Sequence, residues 1–253
     1  MRHSACGRVT RWMIFASALA AAAAAPAAST AGNECRGAAR PDFMAGLDRL
    51  VADIAGKTPA LKRIDPSRIL FIAADARHAS RATTRPTRYA GGTKTSPDGV
   101  WERPSTIWKG KDMLYIVELR PKFFRDSTAE SRLQTIIHEM FHMGDPFDGS
   151  IPDSQSHRLG ADFDAQVEAM AAGYAATADP AILRPLALDG EVTVRQWLER
   201  PKNRVRASDL RTKRSYGAKD IFTGPVEMIT RDSPLKRRLN PADVIPAKAG
   251  IQH

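Results

Sequence analysis

Apolar positions recur along the chain with two different periods, and together they predict an order of elements. Over residues 41–56, Phe43, Leu47, Leu50, Val51 and Ile54 fall on one stripe of a helix, with Pro41 suited to its first turn. Residues 69–73, Ile-Leu-Phe-Ile-Ala, form a short unbroken apolar run, the signature of a buried strand. Residues 113–119, Met-Leu-Tyr-Ile-Val-Glu-Leu, form a second strand. Leu133, Ile136, Ile137, Met140 and Phe141 then follow the i, i+3, i+4, i+7, i+8 spacing of a helix that packs on a core. Ser127 and Glu130 match the S-x-x-E capping box, which puts the start of that helix near Ser127. Phe163, Val167, Met170, Ala171 and Tyr174 repeat the helical spacing, and residues 191–197 read as a late strand.

Two stretches break the pattern. Residues 76–111 are rich in Arg, Thr, Gly, Ser and Pro, with Trp101 and Trp108 embedded. They read as a solvated loop in preference to an arginine-rich hairpin. Residues 144–160 form a polar Gly/Pro loop between two helices. The mixed order of helices and strands makes the fold class α+β.

The ends differ in kind from the middle. Arg2, Arg8 and Arg11 precede an apolar, alanine-rich stretch over residues 12–25, and small residues follow at Ser29-Thr30-Ala31 and Ala25-Pro26-Ala27. This is the pattern of a secretory signal peptide over residues 1–31, and it points to a periplasmic or secreted bacterial protein. It is too short to be a membrane span, and no later stretch is long and apolar enough, so no transmembrane span is expected. Cys6 falls in the leader and leaves Cys35 alone, so the mature chain has no internal disulfide, and cysteine-based zinc fingers are excluded. Residues 32–190 read as the main domain, 191–240 as a basic C-terminal extension and 241–253 as a disordered tail.

Charge widens the range of partners. The chain carries a net +10, and loss of the three leader arginines leaves +7. Residues 191–240 hold 13 Lys and Arg against 6 Asp and Glu. Nucleic acid or another anionic polymer is therefore an admissible partner.

The central chemistry lies in one helix. His138-Glu139-Met140-Phe141-His142 is an H-E-x-x-H sequence. One helical turn separates the histidines, so both imidazoles reach one Zn2+ ion from the face opposite the apolar stripe. Glu139 then stands beside the metal, placed to take a proton from the water that zinc activates. A catalytic zinc needs a third protein ligand. Of the remaining histidines, His3 lies in the leader, His253 in the tail and His78 in the arginine-rich stretch. His157 closes the loop after the active helix and is the first choice for metal binding, with Glu168, Asp162 and Asp164 as alternatives. Tyr174, Arg158 and Tyr115 are candidates to stabilise an oxyanion.

His138-Glu139-Met140-Phe141-His142, the polar loop, and then His157-Arg158-Leu159-Gly160-Ala161-Asp162-Phe163 resemble the SprT-like and phage-type zinc metallopeptidases. That resemblance implies a small zincin-like domain, with its H-E-x-x-H helix packed on a short mixed sheet. It implies zinc as cofactor, a protein or peptide substrate, and Glu139 as the catalytic base. It also implies that a strand near the helix, here residues 113–119, lies along the cleft and pairs with substrate backbone. The chain departs from the family where Arg158 and Leu159 separate the histidine from Gly160. It also departs in its leader and in lacking a cysteine ribbon, so the family's intracellular substrates do not carry over. Two readings result: an exported zinc peptidase, favoured by the intact Glu139, and a non-catalytic basic module with a structural or vestigial metal site.

Overall fold

The computed structural model of the protein describes residues 43–74, 80–152, 161–188, 191–194, 199–209, 214–221 and 226–229. The expected leader, Cys35, His78, His157, Arg158 and the 241–253 tail lie outside these residues. The architecture is α+β, with six α-helices and several small sheets among the described residues.

Helix α1, Phe43–Lys57, buries the predicted stripe, with Phe43, Leu47, Leu50, Val51 and Ile54 almost fully removed from water. Each such side chain contributes roughly 1.5–3 kcal/mol relative to exposure. Strand β1, Ile69–Ala73, is buried at all five positions, as its unbroken apolar run requires. Strand β2, Ala82–Pro86, lies within the stretch read as a solvated loop. The same stretch also supplies β3, Trp101–Glu102, β4, Ser105–Trp108, and β5, Lys111–Asp112, so the loop expectation over 76–111 is corrected. Strand β6, Tyr115–Leu119, begins two residues inside the predicted second strand.

The main sheet has the order β1-β6-β2. β1 runs parallel to β6, with Phe71 opposite Val117, and β2 runs antiparallel to it, with Thr84 opposite the same valine. Cross-strand partners share a face. Thr84 and Val117 therefore occupy one face, and Thr83 and Glu118 the other.

Next come α2, Pro121–Asp126, and α3, Ala129–Phe141, the helix of the H-E-x-x-H sequence. The cap of α3 is one residue later than the expected capping box. Thr128 is the N-cap and accepts a hydrogen bond from the Ser131 amide, whereas Ser127 closes α2. Leu133, Ile136, Ile137, Met140 and Phe141 are all buried, as their spacing predicted. Helix α4, Ala161–Ala175, buries Phe163, Val167, Ala171 and Tyr174 and leaves Met170 half-buried. Helix α5, Pro180–Ala187, crosses α1 closely enough that a Cβ on Gly46 would lie 2.6 Å from Pro185 Cγ. Arg132 of α3, 1% exposed, donates to the carbonyls of Leu186, Leu188 and Phe124. Its guanidinium thus ties α3 to the end of α5 and to α2.

The basic segment is woven into these elements. β7, Glu191–Val194, pairs antiparallel with β10, Val226–Ile229. β8, Val205–Arg206, pairs with β3, and β9, Ser215–Tyr216, runs parallel to β4 and leads into α6, Ala218–Ile221. One buried carboxylate holds part of this segment to the main sheet. Glu118, whose side chain is fully buried, forms ion pairs with Arg85 at 2.9 Å and Arg120 at 3.2 Å. Arg200 adds a two-pronged pair at 2.8 and 2.6 Å. Arg85 also donates to the Pro201 carbonyl, so β2 and the 199–209 segment meet on the face of the sheet away from Thr84. All described residues fall in the unit Ala39–His253, and no helix among them is long and apolar enough to cross a membrane.

Candidate metal centre and its cavity

The candidate metal-binding residues stand at the last turn of α3. His138 and Glu139 lie within the helix, and His142 follows it as the C-cap in helical conformation, its amide bonded to the His138 carbonyl. The two imidazoles are 4.9 Å apart between centroids and nearly perpendicular. Phe163 of α4 packs against both, edge-on to His138 and stacked on His142, each at 4.9 Å. Being fully buried itself, Phe163 holds the rings from behind. Two imidazoles one turn apart, backed by an apolar ring, fit the nitrogen-donor chemistry of zinc.

Glu139 is only 4% exposed. Its Oε2 accepts a hydrogen bond of 2.6 Å from the hydroxyl of Thr84 on β2, and that hydroxyl also lies 3.1 Å from the Glu139 carbonyl. The backbone amide of Thr84 also bonds the carboxyl, and no other residue among the described ones does. Desolvation pushes the Glu139 carboxyl up to about 7, against the opposing pull of the Thr84 hydrogen bonds and the positive charge of Arg120.

These groups open onto a cavity of about 890 Å³. Gln134, Thr135, His138, Glu139 and His142 of α3 form one wall, and residues 80–84, in and before β2, form another. Asp164, Val167 and Glu168 of α4 and Ile151 complete it. Of the acidic alternatives for the third ligand, Asp164 and Glu168 therefore reach the cavity, and Asp162 does not line it. Among the described residues, no group of three His, Cys, Asp or Glu side chains is arranged to hold a metal, so neither acid joins the two imidazoles as a third donor in this conformation. His157 lies outside the described residues.

Two expectations about the surroundings are corrected. Tyr174 donates its hydroxyl to Asp53 Oδ2 at 2.7 Å, and burial together with that carboxylate pushes its phenol upward. Tyr115 donates to the Ser150 carbonyl at 2.8 Å and accepts from the Gly149 amide, and burial pushes it up to about 12. Neither lines the cavity, so neither serves as an oxyanion donor there. The cleft strand is also a different one. β6, within the predicted 113–119, is central and paired on both sides, and β2 is the edge strand that borders the cavity. Among the described residues no strand pairs with the outer edge of β2.

Sequence reasoning missed Thr84, Thr135 and Gln134. Gln134 had a signal, since it lies one turn before His138 on the same helical face. Thr84 had only the β-propensity of two adjacent threonines. No family model, curated protein or solved structure matches the chain.

Proposed function

We propose that the chain is a zinc-dependent peptidase of zincin type, related to the SprT-like and phage-type metallopeptidases and exported from the cytoplasm by its leader. The observation that carries this reading is the union of three features on one cavity. Paired imidazoles stand at the last turn of α3, a buried carboxyl stands between them in sequence, and an edge strand whose outer side pairs with no strand among the described residues lies across from both.

His138 and His142 would hold the metal, with His157 as the third ligand. Zinc in such a site supplies a Lewis acid that polarises a scissile carbonyl and acidifies water. Extended substrate backbone adds to the outer edge of β2, which aligns the scissile bond with α3. Glu139 takes the proton of the attacking water on its carboxylate. As the C–N bond breaks, it delivers that proton to the leaving amine. Burial raises the proton affinity of Glu139 and a bound zinc would lower it, and these opposed pulls suit a carboxyl that must both take and give a proton.

The test uses the full chain with fluorescein-labelled casein and metal analysis. Wild type should bind about one zinc per chain and cleave the casein. Glu139→Gln should keep zinc and lose turnover, and His157→Ala should lose zinc. Unchanged turnover in Glu139→Gln would refute the reading, as would a protein that binds no zinc after reconstitution.

A further inference from the structure

We propose that Thr84 is the positioning residue of this site: its hydroxyl fixes the orientation in which the carboxylate of Glu139 meets the cavity for proton transfer. This inference rests on the peptidase reading and adds to it a residue that the H-E-x-x-H sequence does not contain.

The geometry is specific. Thr84 lies on the face of β2 that packs against α3, opposite Val117 in register. It is 7% exposed, and its hydroxyl reaches Glu139 Oε2 at 2.6 Å. Thr84 is the one residue among the described residues that hydrogen-bonds this carboxyl, through its hydroxyl and its backbone amide, and Glu139 lines the cavity. A glutamate side chain on a helix has three rotatable bonds, and holding its carboxylate removes the freedom that would misdirect it. A short bond to an ionised acceptor is among the stronger hydrogen bonds a side chain makes.

The strand that bears Thr84 is itself braced. Arg120 donates to Thr83 Oγ1 at 2.9 Å, to Ser80 Oγ at 3.3 Å and to the Ala74 carbonyl at 3.0 Å. The arginine therefore ties the cavity wall at Ser80 and Thr83 to Ala74, just beyond the end of β1. β2 is also the strand whose outer edge would receive substrate, so Thr84 couples the place where substrate docks to the group that moves the proton. A shift of the edge strand carries the hydroxyl, and with it the orientation of Glu139.

The experiment compares Thr84→Val with Thr84→Ser. Valine keeps the branched shape and removes the donor, whereas serine keeps the donor. In the zinc-loaded full chain, Thr84→Val should lower kcat by roughly ten- to a hundredfold, the scale of a misplaced catalytic group. KM should stay within about threefold and zinc content should be unchanged. Thr84→Ser should recover most of kcat. Equal kcat in wild type and Thr84→Val, or an equal loss in both variants, overturns the proposal.

A second readout needs no turnover. In chelator-treated protein, the denaturation midpoints of Thr84→Val, Glu139→Leu and the double variant form a cycle. The double variant should fall less than the sum of the two single ones, because each single change strands a buried partner. Additive midpoints overturn the contact. Non-additive midpoints in a protein without peptidase activity would uphold the contact, end the peptidase reading and with it the positioning role.

Discussion

Glu139 is a titratable group placed where its charge is costly, so the metal-free protein should lose stability as pH rises through neutrality. Burial raises its carboxyl from an ordinary 4.5 to about 7. At about 1.4 kcal/mol per pH unit, that difference corresponds to about 3 kcal/mol between the two protonation states. The direction follows from linkage. The folded pKa lies above the unfolded one, so between about 4.5 and 7 the folded state binds the extra proton. Stability from this group is fully present below pH 4.5, falls as pH rises, and is gone above about 7.

The clean perturbation is Glu139→Gln, which keeps the shape and removes the titration. Denaturant unfolding of both proteins with chelator present, at half-unit steps from pH 4 to 8.5, gives the two curves. Their difference cancels every other titrating group that the two share. Wild type should lose on the order of 3 kcal/mol relative to the variant across that window. Parallel curves would refute the reasoning, and so would a wild type that gains on the variant as pH rises. Adding zinc should flatten or invert the slope, since a nearby cation favours the carboxylate.

Glu118→Gln leaves Arg85 and Arg120 without the carboxylate that compensates them in a buried site, and should cost about 3 kcal/mol in chemical denaturation. A loss under about 1 kcal/mol would mean that water already reaches this cluster. Gly46→Ala should destabilise by about 1–2 kcal/mol despite a helix-propensity gain of about 1 kcal/mol, because its Cβ would lie 2.6 Å from Pro185 Cγ. A stabilised Gly46→Ala would show that α1 and α5 separate at little cost.

The elements that the sequence disclosed are those whose burial has a period. α1, α3 and α4 each turn one apolar stripe inward, and β1 is apolar throughout because both its faces are covered. β2 had no such pattern. Its residues are Ala-Thr-Thr-Arg-Pro, and it is held by ladder bonds to β6 and by the pairing of Arg85 with Glu118. Neither hold leaves an apolar trace, so charge content alone made the segment look solvated. The tyrosines failed for a related reason. Helical spacing put Tyr174 on the same buried stripe as Phe163, but only the packing of α1 shows that its hydroxyl is already bound to Asp53.

The parts that were hard to read are the parts that join the fold to the site. Glu118 and Thr84 sit on neighbouring strands but point to opposite faces of one thin sheet. On one face, three arginines draw β2 and the 199–209 segment toward a buried carboxylate. On the other, β2 presents its threonine hydroxyl to Glu139. Arg120 belongs to both systems, since it pairs with Glu118, braces Thr83 and lends positive charge to the surroundings of Glu139. Damage to the ion cluster should therefore reach the proposed chemistry through displacement of β2, without any change in the two imidazoles. Zinc affinity should then be less sensitive than kcat to Glu118→Gln, because α3 and Phe163 hold the histidines independently of that strand.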